Sequence, residues 1–335
     1  MATLGQYSLT LEDWRKRLNP QGLTDTVIET MNQTNPILKD MKWAEGNLPT
    51  GNMTTQRTEL PTIYTRALNR GVQNSKSKTK QVTDTCTIYE AHSKVDTKLL
   101  KMMNDAQAFR ASEDLSFVES FNQKLAGDLM YGDSNTNPDQ FNGFNVRYNK
   151  LSSNKGDAGY QIISAGGTGA TNTSMWFVCW GDNSVHGIFP KGSQAGLSVE
   201  QKGEQLVTDA DGLEYYAYLT KFEWNPGLAV RNHRFVSRLA NIDVSTLFTL
   251  TSDQKRAIVE KAILAKNRIQ NLDARVTPAW YVSDNMYSFF ETYLIDKNNV
   301  HVTRQELAGK CPELYFAGYP IRKCDAILET ESAIS

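Results

Sequence analysis

The sequence predicts an α+β fold with interleaved strand and helix regions, preceded by a long polar hairpin held away from the core. Three observations carry this expectation. Strand-like stretches recur across 82–88 and 148–243, apolar stripes at helical spacing run through 112–131 and 251–272, and an alternating stretch closes the chain. At 335 residues the chain exceeds one compact core, so two or more packed regions are expected.

The N-terminus reads as short helices separated by breakers. Thr10 and Asp13 resemble a loose capping box before Leu11, Trp14 and Leu18, and Asn19-Pro20 stops that piece. A second piece carries Val27, Ile28 and Met31 and ends before Asn35-Pro36. Two short amphipathic pieces are not stable alone. They read as an arm that borrows a surface, another subunit being one source.

An extended hairpin follows. Leu60 to Ala67 reads as its first limb, and Val82, Cys86 and Ile88 alternate with Thr83, Thr85 and Thr87 in the return limb. The joining segment NRGVQNSKSKTKQ is turn material with nothing to bury. Arg66, Arg70, Lys76, Lys78 and Lys80 meet no acid before Asp84. A two-stranded hairpin is marginal in water, so its stability must come from what it lies on. Its basic tip has three readings: a solvated turn, a phosphate contact, or a contact to acids of a neighbouring subunit that sets register and partner choice.

Ser112 offers a cap for the first long helix, Glu113 and Asp114 suit its first turn, and Leu115, Val118, Phe121, Leu125 and Leu129 form its stripe. Gly132 is its natural stop. The preceding TKLLKMMNDAQAFRA is also helix-compatible, so a longer interrupted helix fits too. From Tyr148 to Asp243 strands and loops dominate: MWFVCWG is apolar throughout, as a fully buried strand is, and DADGLEYYAYLTKFEW is a glycine turn followed by alternation. Thr251 and Ser252 offer caps for the second helix, whose stripe is Ile258, Ala262, Ala265, Ile269 and Leu272. RVTPAWYVSDNMYSFFETYLI then reads as strand, turn and a helix or strand, and LYFAGYPIRKCDAILE as a closing strand.

Chemistry-bearing motifs are sparse. His92, His186, His233 and His301 are far apart, with no HExxH or HxH pair. GGTG at 166–169 lacks the Lys-Ser/Thr of a phosphate loop, no GxSxG elbow occurs, and DADG at 209–212 lacks the glutamate of a calcium loop. Cys86, Cys179, Cys311 and Cys324 have no CxxC spacing and read as the reduced cysteines of a cytoplasmic chain, with Cys311 and Cys324 as small buried hydrophobes. Trp176, Trp180, Tyr215, Tyr216, Tyr218 and Trp224 make a sugar platform or, more commonly, sheet core. No catalytic residue, cofactor or metal is expected. The net charge of −1 argues against a nucleic-acid glove and against an anionic membrane as partner. No run approaches the roughly 20 apolar residues of a membrane span, and MATLGQYSLTLEDWRKRLNP lacks a signal-peptide core.

The order of these parts resembles the major capsid proteins of tailed bacteriophages, whose shell fold is the Hong Kong 97 or Johnson fold. LPTIYTRALNRGV with YEAHSKVD looks like the extended loop and its return, and SEDLSFVESFNQKLAGDLMYGD like the spine helix, with FNGF after it. MWFVCWG, GIFPKGS, DADGLEYYAY and FEWNPGLAVRNHRFVSRLANID look like successive peripheral segments, and AGYPIRKCDAIL like the returning strand. The closest form is that of short-tailed phages of the epsilon-fifteen type. The resemblance implies an N-terminal arm at 1–45, an extended loop at 46–92, a peripheral domain with the spine helix at 93–244, an axial domain at 245–315 and a closing strand at 316–335. It further implies pentamers and hexamers of an icosahedral shell around double-stranded DNA, with portal, scaffolding and cement proteins as partners, built in the host cytoplasm. Under it Arg66, Arg70, Lys76, Lys78 and Lys80 meet the next subunit. Near-neutral charge suits a wall beside DNA, since a strongly basic one would hold the genome too tightly. Two other readings are an encapsulin-type nanocompartment shell and a carbohydrate-active β-rich protein.

Overall fold

The computed structural model describes residues 33–102, 105–209, 212–269, 272, 275–294, 302–305 and 313–335. The expected arm helices around Leu11 to Leu18 and Val27 to Met31 lie outside these residues, as do His301 and Cys311. In chain order the strands are β1 (Trp43–Glu45), β2 (Gly51–Glu59), β3 (Lys78–Thr85) and β4 (Tyr89–Asp96). Helix α1 (Ala106–Tyr131) precedes β5 (Ile162–Ser164), β6 (Asn172–Trp180), β7 (Val185–Phe189), β8 (Ser198–Thr208), β9 (Glu214–Trp224), β10 (Gly227–Val230) and β11 (Val236–Asp243). Then come α2 (Ser252–Arg268), β12 (Thr277–Val282), α3 (Asp284–Tyr293), β13 (Val302–Gln305), β14 (Glu313–Phe316) and β15 (Tyr319–Lys323).

The chain divides into two compact units. The larger draws on 34–87, 126–194 and 227–335, the smaller on Gln33, 88–125 and 195–226, so the cut falls inside α1. The expected boundary at 244/245 lies within the larger unit, between β11 and α2.

A ten-stranded mixed sheet organises the larger unit, in the order β1-β7-β6-β12-β15-β14-β13, with β10 beside β7 and β11 joining β5 to β6. Strand β6 is buried from end to end, as its apolar run requires. Its alternate side chains serve two layers. Trp176 and Trp180 meet Phe144 at ring distances of 5.7 and 6.0 Å. Met175, Phe177 and Cys179 join the core built with α2 and α3, where Phe177 stacks on Trp280 at 4.3 Å. The expected start of α2 holds: Thr251 and Gln254 form a capping box, and Val259, Ala262 and Ala265 are buried. The ambiguous 284–293 stretch is helical, because Met286, Phe289, Phe290 and Tyr293 recur at steps that make one buried face.

A buried ion pair fastens the C-terminal segment. Arg238 Nη2 donates to Glu331 Oε2 at 2.9 Å, and Arg238 Nη1 to Asn145 Oδ1 and the Tyr148 carbonyl, both at 2.7 Å. Ser174 Oγ bridges both partners, accepting from Arg238 Nε at 2.9 Å and donating to Glu331 Oε2. The Tyr131 hydroxyl donates to Glu331 Oε1 at 2.6 Å. The guanidinium also lies over the Trp176 ring at 4.6 Å.

The smaller unit is a three-stranded antiparallel sheet, β4-β9-β8, with the N-terminal part of α1 packed on it. Phe222 on β9 stacks on Phe117 at 5.3 Å and touches Phe121. Strand β8 is almost wholly exposed.

Three local expectations are corrected. The first limb of the hairpin is 51–59 and not 60–67, where Pro61 has no N–H to give to a ladder. Helix α1 starts at Ala106 and not near Ser112: Asp105 Oδ1 accepts from the Ala108 N–H at 3.1 Å, which caps the helix two turns earlier. With the separate turn at Thr97–Lys101 this is the interrupted helix that the sequence also allows. The closing strand is a hairpin, since Ala317 and Gly318 both take positive φ (49° and 88°) and turn the chain between β14 and β15.

Candidate assembly surface on the hairpin arm

Strands β2 and β3 pair antiparallel from Gly51↔Thr85 to Glu59↔Lys78, and both are rich in β-branched threonine. The root of this hairpin is clamped to its own unit. Gln56 Nε2 donates to the carbonyls of Val230 and Arg231, at 3.3 and 2.8 Å. Asp84, buried, pairs with Arg147 at 2.8 Å. Asn47 exchanges two 2.7 Å bonds with the Met53 backbone. Gly51 is required by close approach: a Cβ there would lie 2.0 Å from the Asp84 carbonyl oxygen.

Beyond Glu59 the ladder ends, and every residue from 60 to 80 is exposed. Two contacts still shape this tip. Ser75 Oγ donates to the Thr62 carbonyl at 2.6 Å, joining the two limbs, and Arg66 Nε donates to the Arg70 carbonyl at 2.9 Å around a turn with Asn69 at φ 61°. Thus Arg66 and Arg70 are held together. Lys78 is already committed: its ammonium meets Glu59 at 2.8 Å across the strand pair. Lys80 stands opposite Gln56, and Lys76 lies in the tip. Among the described residues no acid pairs with Arg66, Arg70, Lys76 or Lys80.

The tip is not merely polar, as the sequence reading had it. Leu60, Ile63, Tyr64, Leu68 and Val72 are all exposed, with Ile63 at 93 % and Leu68 at 94 %. Leu60, Ile63 and Tyr64 belong to the mistaken strand assignment, and Leu68 and Val72 lie beyond it; with no ladder around them, all five are loose apolar knobs. Burying one such side chain fully yields about 1.5–3 kcal/mol, so a surface that receives several has a strong drive to hold them. Cations beside apolar knobs, with no acids, favour an acidic and partly apolar partner surface.

No alternative site competes among the described residues. No group of three or more His, Cys, Asp or Glu side chains is placed to hold a metal ion there. Among the described residues no helix is long and apolar enough to cross a membrane. Trp176 and Trp180 are fully buried and present no platform to a sugar.

A family profile described as major capsid protein GP7 matches residues 19–335. The chain belongs to that family. It is a major capsid protein of the tailed-phage type, with the α+β shell fold that the order of its parts suggests. A chain of the bacteriophage epsilon15 cryo-EM structure is similar over all of this chain and 99% of that one, at 31% identity and a TM-score of 0.77. The bacteriophage JBD30 capsid shares the fold over 89% of this capsid protein and 93% of that chain, at 11% identity and a TM-score of 0.52. An encapsulin complex from Synechococcus elongatus is matched over 70% of this chain and 96% of that one, at 12% identity and a TM-score of only 0.40. Among curated proteins none matches.

Proposed function

We propose that this capsid protein builds pentamers and hexamers of an icosahedral shell around packaged double-stranded DNA, and that the hairpin arm is where one copy holds the next. The observation that carries this reading is the contrast along the arm: a root clamped by Gln56 and Asp84, and a tip whose large apolar side chains and unpaired cations are left to solvent. Arg66, Arg70, Lys76 and Lys80 meet acids of the neighbour, while Lys78 stiffens the arm through Glu59 and reaches the neighbour only in part.

Within this scheme residues 1–45 are the N-terminal arm, 46–92 the extended loop, 93–244 the peripheral domain with its spine helix, 245–315 the axial domain and 316–335 the closing segment. Portal, scaffolding and cement proteins are partners of the shell, DNA is met without sequence preference, and assembly takes place in the host cytoplasm. The role is structural and needs no catalytic group. Permanent assemblies bury about 2,000–5,000 Å² per interface. Association entropy and desolvation remove much of the gross gain, and repetition over many copies makes modest contacts sufficient.

The test is assembly of K76E/K78E/K80E, followed by electron microscopy and sedimentation. Shells or capsomers fail to form while the far-ultraviolet circular dichroism of the subunit is unchanged. Because K78E also sets a like charge opposite Glu59, K76E/K80E is the companion that leaves the arm's own pair intact. Normal shells from both variants would show that the tip charge is incidental.

A further inference from the structure

We propose that residues 62–66 of one copy's arm add as a fourth strand to the free edge of β8 in the next copy; the inference rests on the reading that the arm is where copies hold one another. Two unfinished elements point to this pairing. Strand β8 lies at the edge of the three-stranded sheet, pairs with β9 alone from Ser198↔Glu223 to Thr208↔Glu214, and is almost wholly exposed. Its other side carries a row of backbone donors and acceptors that a further strand can take. A bulge between Gln201 and Gly203, with Lys202 in it, spoils the first part of that edge. Residues 204–208 then run in unbroken register.

Residues 62–66 are the converse. Thr62, Ile63, Tyr64 and Thr65 are strand formers, yet among the described residues their backbone groups have no backbone partner, and the Thr62 carbonyl takes only the Ser75 hydroxyl. One antiparallel register suits both segments. With Tyr64 beside Leu206, Ile63 stands beside Val207, Arg66 beside Glu204 and Thr62 beside Thr208. Pro61, which has no N–H, falls beyond the last rung. The apolar pairs cover side chains that the free chain leaves open: Ile63 is 93 % exposed, and Leu206 and its β9 neighbour Tyr216 are 49 % and 59 % exposed. The charged pair gives Arg66 an acid, since Glu204 is itself exposed. A slip of one residue sets Arg66 beside Gly203 or Gln205 and loses that pair.

The experiment uses full-length protein. Arg66→Glu and Glu204→Arg, each alone, are expected to lower the yield of shells seen by electron microscopy about tenfold at equal concentration, and the two together to restore most of it. Circular dichroism of the unassembled variants checks that the subunit still folds. In assembled particles, Ile63→Cys with Val207→Cys is expected to form a disulfide between chains on mild oxidation, read on a non-reducing gel and as a linked 63–207 peptide by mass spectrometry. The proposal requires both results. Normal shells from E204R, a double variant no better than R66E, or no link between chains each overturn it. If K76E/K80E still blocks assembly while E204R assembles normally, the arm reading survives and this seat for the arm does not; a 63–207 link within one chain overturns both.

Discussion

Arg238 and Glu331 meet at 2.9 Å with almost no solvent around either side chain. Removing one partner of a buried pair leaves an uncompensated charge, which costs about 3–5 kcal/mol. Glu331→Ala is therefore expected to lower the urea midpoint of the unassembled subunit sharply, and Arg238→Met with Glu331→Met to recover part of the loss. Three thiols behave as buried groups: burial pushes Cys86, Cys179 and Cys324 each up to about 12, with the nearby Asp84 adding to the effect at Cys86. Since the thiolate is the reacting form, peptide mapping after alkylation at pH 8 is expected to find these three unmodified in the native protein and modified in urea. His186 is shifted the opposite way. Burial, helped by Arg231, holds its imidazole below the usual histidine range. The unfolded chain takes up that proton near pH 6.5, the folded chain only at lower pH. The unfolded state thus binds more protons in that interval, and stability is full above about pH 6.5 and declines as pH falls below it. His186→Asn is expected to flatten this decline; an equally steep one in the variant would assign it elsewhere. The environments of Arg238, Glu331 and His186 were not legible in the sequence. Arg238 and Glu331 stand 93 positions apart, and nothing local to either says that the other arrives. The cysteine reading fared better at Cys324, which is buried, because a free cysteine behaves as a small hydrophobe.

Elements were read well where one physical signal dominated. The continuous apolar run of β6, the Thr251 cap of α2 and the glycine that ends α1 all stand as expected. They failed where two signals competed. Leu60 to Ala67 has strand-forming residues in Thr62, Ile63, Tyr64 and Thr65, but Pro61 removes a donor that a ladder needs, and pairing falls on the polar Gly51–Glu59 segment that no periodicity announced. At the end of the chain, alternation ran straight through a two-residue turn and read as one strand. The FNGF motif after α1 shows a different kind of constraint. A Cβ on Gly143 would lie 2.5 Å from the Asp128 carbonyl oxygen, and the Gly143 N–H donates to Gly132 O at 2.8 Å. Gly143→Ala is expected to cost about 1–3 kcal/mol, measured as a lower unfolding midpoint, whereas Gly71→Ala in the open arm, with nothing near its Cβ, is expected to change stability little. The five cations of the arm were visible in the sequence as a run without acids. The sequence did not reveal that Lys78 is paired by Glu59, nor that Ile63 and Leu68 stand out beside the cations, since both depend on where the ladder stops.

At the scale of the whole molecule, an apolar, cation-bearing tip on a clamped root is poorly suited to a chain that stays alone, because exposed apolar patches of this kind promote association. A family of shell proteins supplies a setting in which the exposure has a use: on the reading proposed above, each tip is covered when a copy lies beside it. On that reading the assembly contact belongs to the arm and the surface it meets. The Arg238–Glu331 cluster and the aromatic core of β6 belong to the stability of the subunit, so variants there are expected to fail before assembly begins. The most direct measurement is a cryo-EM map of purified assembled particles, read at residues 60–77. The account predicts Ile63 and Leu68 seated against a neighbouring copy, with acids of that copy within reach of Arg66, Arg70, Lys76 and Lys80. A closed shell in which this segment lies on its own subunit, or stays in solvent and touches no other chain, would contradict it.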